Sequence, residues 1–174
     1  MPNHCQNLIY ITIPTVERSP MNAEGLGDWW MVLEESVKSG VESPLCELFK
    51  PMPRFVRCTG EWCNWACNHW GTKWGDYDGV VVSVDRGDWG VMVGYRFLTA
   101  WNPPLALVNE IAKVASTVTL YYYEAGLGFG GLNRFKYGKL VEVTELDPHR
   151  SDAEDSYQHQ LEELCSRGGF TNAF

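Results

Sequence analysis

The chain lacks the features that mark membrane and secreted proteins. No apolar run approaches the roughly 18 residues that a transmembrane helix needs. The opening residues Met1-Pro2-Asn3-His4 do not form the basic stretch followed by an apolar core that begins a signal peptide. We therefore expect no membrane partner, and a location in a reducing cytoplasm.

The chain also lacks an excess of basic residues and any catalytic signature. It has 14 Lys and Arg against 22 Asp and Glu, a formal net charge of −8. Binding to a phosphate backbone needs clustered basic residues, so direct nucleic-acid binding is not expected. The four histidines have no spacing typical of a catalytic dyad, and no serine sits in an elbow motif. We expect a protein that is not an enzyme and takes no cofactor.

Six cysteines are present, but they do not form a standard zinc motif. Cys58, Cys63, Cys67 and His69 offer four possible ligands, and Cys63 and Cys67 lie one helical turn apart. No Cys-x-x-Cys pair occurs among them, and such pairs are typical of structural zinc sites. Buried or incidental thiols are the favoured interpretation, and no metal is predicted.

Aromatic residues are abundant, and four tryptophans fall in the thirteen residues from Trp62 to Trp74. Such a dense segment is either the centre of the core or an exposed recognition surface. In the first alternative, which is favoured, Trp70, Trp74 and Trp101 pack inside and the alkyl stem of Lys73 covers them. In the second, indoles and charged groups form a ligand cleft. The predicted cleft residues are Trp70, Lys73, Trp74, Asp76, Trp101 and Glu124.

Negative charge is concentrated near the C-terminus. Between Glu142 and Glu163 there are eight acidic residues and one basic residue, Arg150, so this segment alone carries −7. An acidic surface attracts a basic protein partner through complementary potential. The predicted contact set, called the acidic surface below, is Glu142, Glu145, Asp147, Asp152, Glu154 and Asp155.

Hydrophobic periodicity predicts strands and helices in alternation. One face of the strand over 89–98 carries Trp89, Val91, Val93, Tyr95 and Phe97, and the glycine-bearing opposite face is predicted to leave room for a helix. A capping box at Ser151 predicts a final acidic helix. Strands are predicted over 6–13, 80–84, 89–98, 117–123, 129–135 and 140–146, and helices over 29–38, 61–68 and 103–115, the last with Asn102 as its cap.

The order strand, helix, hairpin, helix, strand predicts an α+β fold. This order of elements is typical of a ferredoxin-like (split βαβ) antiparallel sheet with helices on one face. The second hairpin and the acidic helix extend this unit at its C-terminal end. We expect a single ferredoxin-like domain over 1–174, in which 132–174 is a C-terminal extension packed on the rest.

Several strings of residues carry a resemblance to a known family. They are Met1-Pro2-Asn3-His4 with Asn7, Phe49-Lys50-Pro51-Met52-Pro53, Trp70-Gly71-Thr72-Lys73-Trp74, the segment 97–104 (FLTAWNPP) and the segment 123–130 (YEAGLGFG). In this order they resemble the YubB-like family of phage and plasmid proteins. The resemblance implies a ferredoxin-like domain and a setting in a bacterial host, and it supplies no catalytic mechanism.

Three functions are compatible with these features. The first is a non-catalytic factor that binds a host protein through the acidic surface, as an inhibitor of a defence complex of the anti-CRISPR or anti-restriction type. The second is a small-ligand binder or enzyme that uses the predicted cleft. The third is a single-stranded nucleic-acid binder that stacks bases on Tyr95, Phe97 and Tyr121, and it ranks last because basic residues are sparse.

Overall fold

The computed structural model describes residues 3–14, 28–146, 163 and 166–167. In chain order the elements are β1 (His4–Ile13), α1 (Trp29–Lys38), α2 (Pro44–Phe49), α3 (Arg54–Arg57), α4 (Trp62–His69), β2 (Tyr77–Gly87), β3 (Gly90–Ala100), α5 (Leu105–Ala112), β4 (Thr117–Glu124), β5 (Phe129–Lys136) and β6 (Lys139–Glu145). None of the helices among these residues is long and apolar enough to cross a membrane.

The strands form one antiparallel sheet in the order β2-β3-β1-β4-β5-β6. The first strand lies between β3 and β4 and pairs with both, with Ile11 opposite Val93 on one side and Val118 on the other. This is the split βαβ arrangement of a ferredoxin-like sheet. The β5–β6 hairpin, which turns at Tyr137-Gly138, adds two strands beyond β4. The predicted fold class is confirmed.

The core lies between one face of the sheet and the helices. Alternate side chains of β1, β3 and β4 point to this face and are buried, and they pack with Trp29 and Leu33 of α1 and with Leu107 and Ile111 of α5. The prediction that a helix lies against the glycine-bearing face of β3 is wrong. Gly94 on that face is covered by side chains of the sheet itself, from Tyr10, Val82 and Ser83. The helices instead cover the face of Val91, Val93, Tyr95 and Phe97.

The opposite face of the sheet carries a smaller apolar cluster. Leu8 and Tyr123 are buried there, with Tyr10, Tyr121 and Leu146 packed against them. Tyr95 and Phe97 are buried in the main core. They cannot stack on nucleic-acid bases together with Tyr121, so the residue basis of the third hypothesis is wrong.

Helix boundaries follow backbone chemistry. Helix α1 has the predicted bounds, and Gly40 follows it with a positive φ of 71°. Helix α5 begins at Leu105, later than predicted, because Pro103 and Pro104 both precede its first turn. The short helices α2 and α3, on either side of the Lys50–Pro53 segment, were not predicted. The capping box at Ser151 lies outside the described residues, although Glu163, Ser166 and Arg167 are helical.

Candidate functional site

A cleft of about 610 Å³ lies between the helices that connect β1 to β2 and the start of β2. This is within the range of roughly 300–1,000 Å³ usual for ligand sites. Its aromatic walls come from Trp62, Trp70, Trp74 and Tyr77, and its charged groups from Glu42, Glu47, Arg57, Lys73 and Asp78. We call it the tryptophan cleft.

The wall made by α2 is held in place by a buried carboxylate on another element. Asp76 Oδ2 accepts hydrogen bonds from Leu45 N (3.0 Å) and from the Tyr95 hydroxyl (2.8 Å), and its Oδ1 accepts one from Cys46 N (2.9 Å). Leu45 and Cys46 lie in the first turn of α2, where backbone N–H groups have no partner within the helix. Asp76 therefore caps α2 from a distance. Burial, reinforced by the charge of Asp76, raises the pKa of both the Tyr95 phenol and the Cys46 thiol, which keeps them neutral.

The tryptophans of the cleft differ in exposure. Trp70 is buried, donates its indole N–H to Lys50 O at 2.9 Å, and makes an edge contact with Trp65. Trp62 and Trp74 are 36% and 39% exposed. The favoured prediction of a fully buried tryptophan cluster therefore holds for Trp70 and is wrong for Trp74 and Trp101. More than a third of two indole side chains remains accessible at the cleft.

An aromatic row runs along the surface beside the cleft. It consists of Trp101, Trp74, Tyr77 and His4, with successive ring centroids 6.3, 6.2 and 5.8 Å apart. His4 Nδ1 and the Tyr77 hydroxyl are 2.6 Å apart. Burial is the main reason why the pKa of Tyr77 is raised, so the phenol stays protonated and can act as a hydrogen-bond donor.

Three residues around the cleft adopt a left-handed backbone conformation without being glycine. Their φ angles are 56° at Ser43, 49° at Asp78 and 64° at Trp101. Ser43 and Asp78 line the cleft, and Trp101 belongs to the aromatic row. Such conformations cost about 1–3 kcal/mol each and cluster at functional sites, where the surrounding structure maintains them.

The charged groups of the cleft divide into paired and unpaired ones. Arg57 forms an ion pair with Glu47, and Lys73 Nζ lies 5.2 Å from the centre of the Trp101 ring. Glu42 and Asp78 have no ion-pair or hydrogen-bond partner for their carboxylates in the part of the chain that the structure describes. The cleft therefore combines apolar walls with two carboxylates available to a ligand.

The structure brings together only part of the predicted cleft. Trp70, Lys73 and Trp74 line it, and Trp101 lies next to it under Lys73. Two of the predicted polar groups serve the protein's own backbone instead. Asp76 caps α2, and Glu124, which is buried, accepts hydrogen bonds at 2.7 Å from Gly126 N and Leu127 N in the β4–β5 turn. Neither Asp76 nor Glu124 lines the cleft.

Sequence reasoning did not identify Trp62, Tyr77, Glu42 and Arg57 as cleft residues. Trp62 belongs to the tryptophan-dense segment, so a signal for it was present. Glu42 precedes α2 and Arg57 ends α3, and only the packing of these short helices brings both residues into the same cleft as Trp74. No local pattern could have found them.

The acidic surface is described only in part. Glu142 on β6 pairs with Arg134 on β5 at 2.6 Å, and Glu145 is exposed near the end of β6. Asp147, Asp152, Glu154 and Asp155 lie outside the described residues. Leu140, Val141 and Val143 of the same strand are each about half exposed.

The candidate zinc ligands lie on and just before α4. His69 stacks on Trp65 with ring centroids 4.3 Å apart, and its Nδ1 is 2.9 Å from Trp65 O. Within the described ranges, no group of three or more His, Cys, Asp or Glu residues is arranged to hold a metal ion.

The strand order and the position of the cleft define the class of this protein: an α+β protein with a ferredoxin-like sheet and an aromatic cleft built from the β1–β2 connection. The family model described as the ferredoxin-like domain in Api92-like protein matches residues 69–163. The chain belongs to this family of Api92-like proteins. The cleft crosses the start of the matched region, because Trp62 and the helices α1 to α3 precede it.

A solved structure supports the fold. The chain is similar to the crystal structure of the protein api92 from Yersinia pseudotuberculosis, with a TM-score of 0.54 and 10% sequence identity, over 87% of this chain and 100% of that one. At this identity the likeness concerns the fold alone. No curated protein matches the chain.

Proposed function

We propose that this protein is a non-catalytic binding protein and that its binding site is the tryptophan cleft. The observation that carries the proposal is the cleft itself, in which the partly exposed indoles of Trp62 and Trp74 face a space of ligand size. Exposed aromatic side chains in a concave site are the usual anchors of a bound group, because they offer large contact areas at low conformational entropy.

The way the cleft is built supports binding in a preformed site. Asp76 accepts two hydrogen bonds from the backbone of α2 and a third from Tyr95 on β3, and contacts with Tyr77 and Trp101 orient the Trp74 ring. A site whose rings are held before binding loses less entropy when the ligand arrives.

A fluorine NMR titration tests the proposal. The protein is labelled with 5-fluorotryptophan, each resonance is assigned with a single Trp→Phe variant, and a fragment library is screened. We expect ligands that shift the Trp62 and Trp74 resonances and bind about tenfold or more weakly to the Trp74→Ala variant.

Trp89→Ala is the matched control. Trp89 is 50% exposed at the β2–β3 turn and does not line the cleft. If no fragment moves the cleft resonances, or if Trp74→Ala and Trp89→Ala weaken binding equally, the cleft is not the binding site.

A second candidate is protein binding through the acidic surface. In this candidate function the protein is a factor of phage or plasmid origin that binds a basic host protein. It inhibits a host defence complex, as an inhibitor of the anti-CRISPR or anti-restriction type. The observation that favours it is β6, the last strand of the described sheet, where half-exposed Leu140, Val141 and Val143 adjoin Glu142 and Glu145. Exposed sheet edges with apolar side chains are common sites of strand addition by a partner.

Affinity purification from the bacterial host tests this candidate. Neutralising Glu145, Asp147, Asp152 and Glu154 together should weaken capture of the partner and flatten its dependence on salt. The control neutralises Asp85 and Asp88 near the β2–β3 turn. Equal capture by both variants would contradict a role for the acidic surface.

A further inference from the structure

We infer that the tryptophan cleft receives a cationic side chain, the guanidinium or ammonium group of an arginine or lysine on a partner polypeptide. This inference rests on the proposed function of the cleft and names the chemistry of its ligand.

The charge balance of the cleft favours a cationic ligand. Its two cations are already engaged, Arg57 with Glu47 and Lys73 with the Trp101 ring. Two acidic residues, Glu42 and Asp78, line the same cleft, and their carboxylates have no partner among the described residues. A neutral ligand that covered the two carboxylates would displace their water without replacing the hydrogen bonds that the water makes, which is unfavourable. A cationic group would instead pair with the carboxylates.

The aromatic lining of the cleft also favours a cation. Cations are attracted to the faces of indole rings, and the attraction is strongest for tryptophan. The described residues already include such contacts, with Lys73 over Trp101 and with the Arg86 guanidinium 3.8 Å from the centre of the Trp30 ring. Trp62 and Trp74 offer partly exposed indoles in the same cleft as the unpaired carboxylates.

The aromatic row beside the cleft favours a polypeptide as the source of the cation. Trp74 and Tyr77 belong both to the cleft and to the aromatic row, which continues past it to Trp101 on one side and His4 on the other. A side chain that enters the cleft from a polypeptide would leave its neighbouring residues on this row. The net charge of −8 also favours the approach of a basic protein.

Matched peptides test the inference by the same fluorine NMR titration. The ligands are the capped tripeptide acetyl-Gly-Arg-Gly-amide, its citrulline analogue, which is neutral and nearly the same shape, and ethylguanidinium as a free cation. We expect the arginine peptide to shift the Trp62 and Trp74 resonances. The citrulline peptide should bind about tenfold more weakly, and ethylguanidinium should bind more weakly than the arginine peptide.

Charge-neutralising variants locate the effect. Glu42→Gln and Asp78→Asn should each reduce the preference for arginine over citrulline, and asparagine tolerates the positive φ of position 78. Asp88→Asn removes the same charge outside the cleft and should leave the preference unchanged.

The outcomes separate the inference from the function on which it rests. Equal binding of the arginine and citrulline peptides refutes the cationic ligand, while the cleft remains a binding site. Ethylguanidinium that binds as tightly as the peptide refutes the polypeptide source. If no cation moves the cleft resonances but a neutral fragment does, the inference fails and the proposed function stands.

Discussion

Replacing the buried Asp76 with asparagine is a stringent test of how the cleft is held together. In the wild-type protein two carboxylate oxygens accept three hydrogen bonds, from Leu45 N, Cys46 N and the Tyr95 hydroxyl. Asparagine keeps the shape but supplies one acceptor oxygen and one NH₂ group. If the oxygen stays with Cys46 N, the NH₂ group faces Leu45 N, and both are donors.

The size of the effect follows from these contacts. A buried donor left without an acceptor costs about 1–3 kcal/mol, and the bonds that remain lose the extra strength of a charged acceptor. The Tyr95 hydroxyl can rotate and accept from the new NH₂ group, so that bond is weakened rather than lost. We expect Asp76→Asn to lower the free energy of unfolding by about 3 kcal/mol, which for a chain of this length lowers the Tm by about 6–12 °C.

Urea unfolding followed by circular dichroism measures this change. Asp78→Asn is the matched control, because Asp78 is exposed, its carboxylate has no partner within the described chain, and its backbone conformation suits asparagine. The control should stay within about 0.5 kcal/mol of the wild type. A loss below about 1 kcal/mol for Asp76→Asn would refute the view that this carboxylate fixes α2 and the cleft wall.

Two further predictions concern packing and the cysteines. Gly79→Ala should destabilise the protein by about 1–3 kcal/mol in the same urea assay, because the new methyl group would overlap the Tyr95 hydroxyl and ring. Gly60→Ala is the control and should change the stability little, because no atom lies within 4 Å of its added Cβ. Equal effects of the two substitutions would contradict the close packing at Gly79. Burial raises the pKa of the Cys5 thiol to about 12, so native iodoacetamide labelling at pH 8, read by mass spectrometry, should modify exposed Cys58 and spare Cys5. Labelling of Cys5 at the rate of Cys58 would contradict the burial of Cys5. Because the Cys5 thiol titrates at lower pH in the unfolded chain, the free energy of unfolding should also decline as the pH rises from about 9 towards 12.

The sheet was predictable because its signals are local. The alternation of Ile9, Ile11 and Ile13 marks β1, and Tyr137-Gly138 supplies the turn of the β5–β6 hairpin. Both residues of that turn have the positive φ values that such a tight turn requires. From the order of these elements the split βαβ topology follows.

The cleft was only half predictable, because its chemistry depends on contacts between distant parts of the chain. The sequence places Asp76 beside Trp74, which suggested a ligand group. Its actual partners, Leu45 and Cys46, are about 30 positions earlier. Likewise Ser43 stands at the N-cap of α2 in a left-handed backbone conformation and makes no capping hydrogen bond with its side chain, so Asp76 caps the helix instead. Whether a carboxylate faces a ligand or a helix end is decided by tertiary packing.

The position of β1 has a consequence for how the protein is made. This strand leaves the ribosome before both of its partners in the sheet, which come much later in the chain, as the hydrogen bond between Asn7 and Thr99 across 92 positions illustrates. The strand must therefore wait, apolar and unpaired, until β3 and β4 have been translated. Folds dominated by such remote pairings close slowly and are exposed to aggregation meanwhile. Nascent chains of this protein should therefore depend on chaperones that shield the first strand until β3 and β4 arrive.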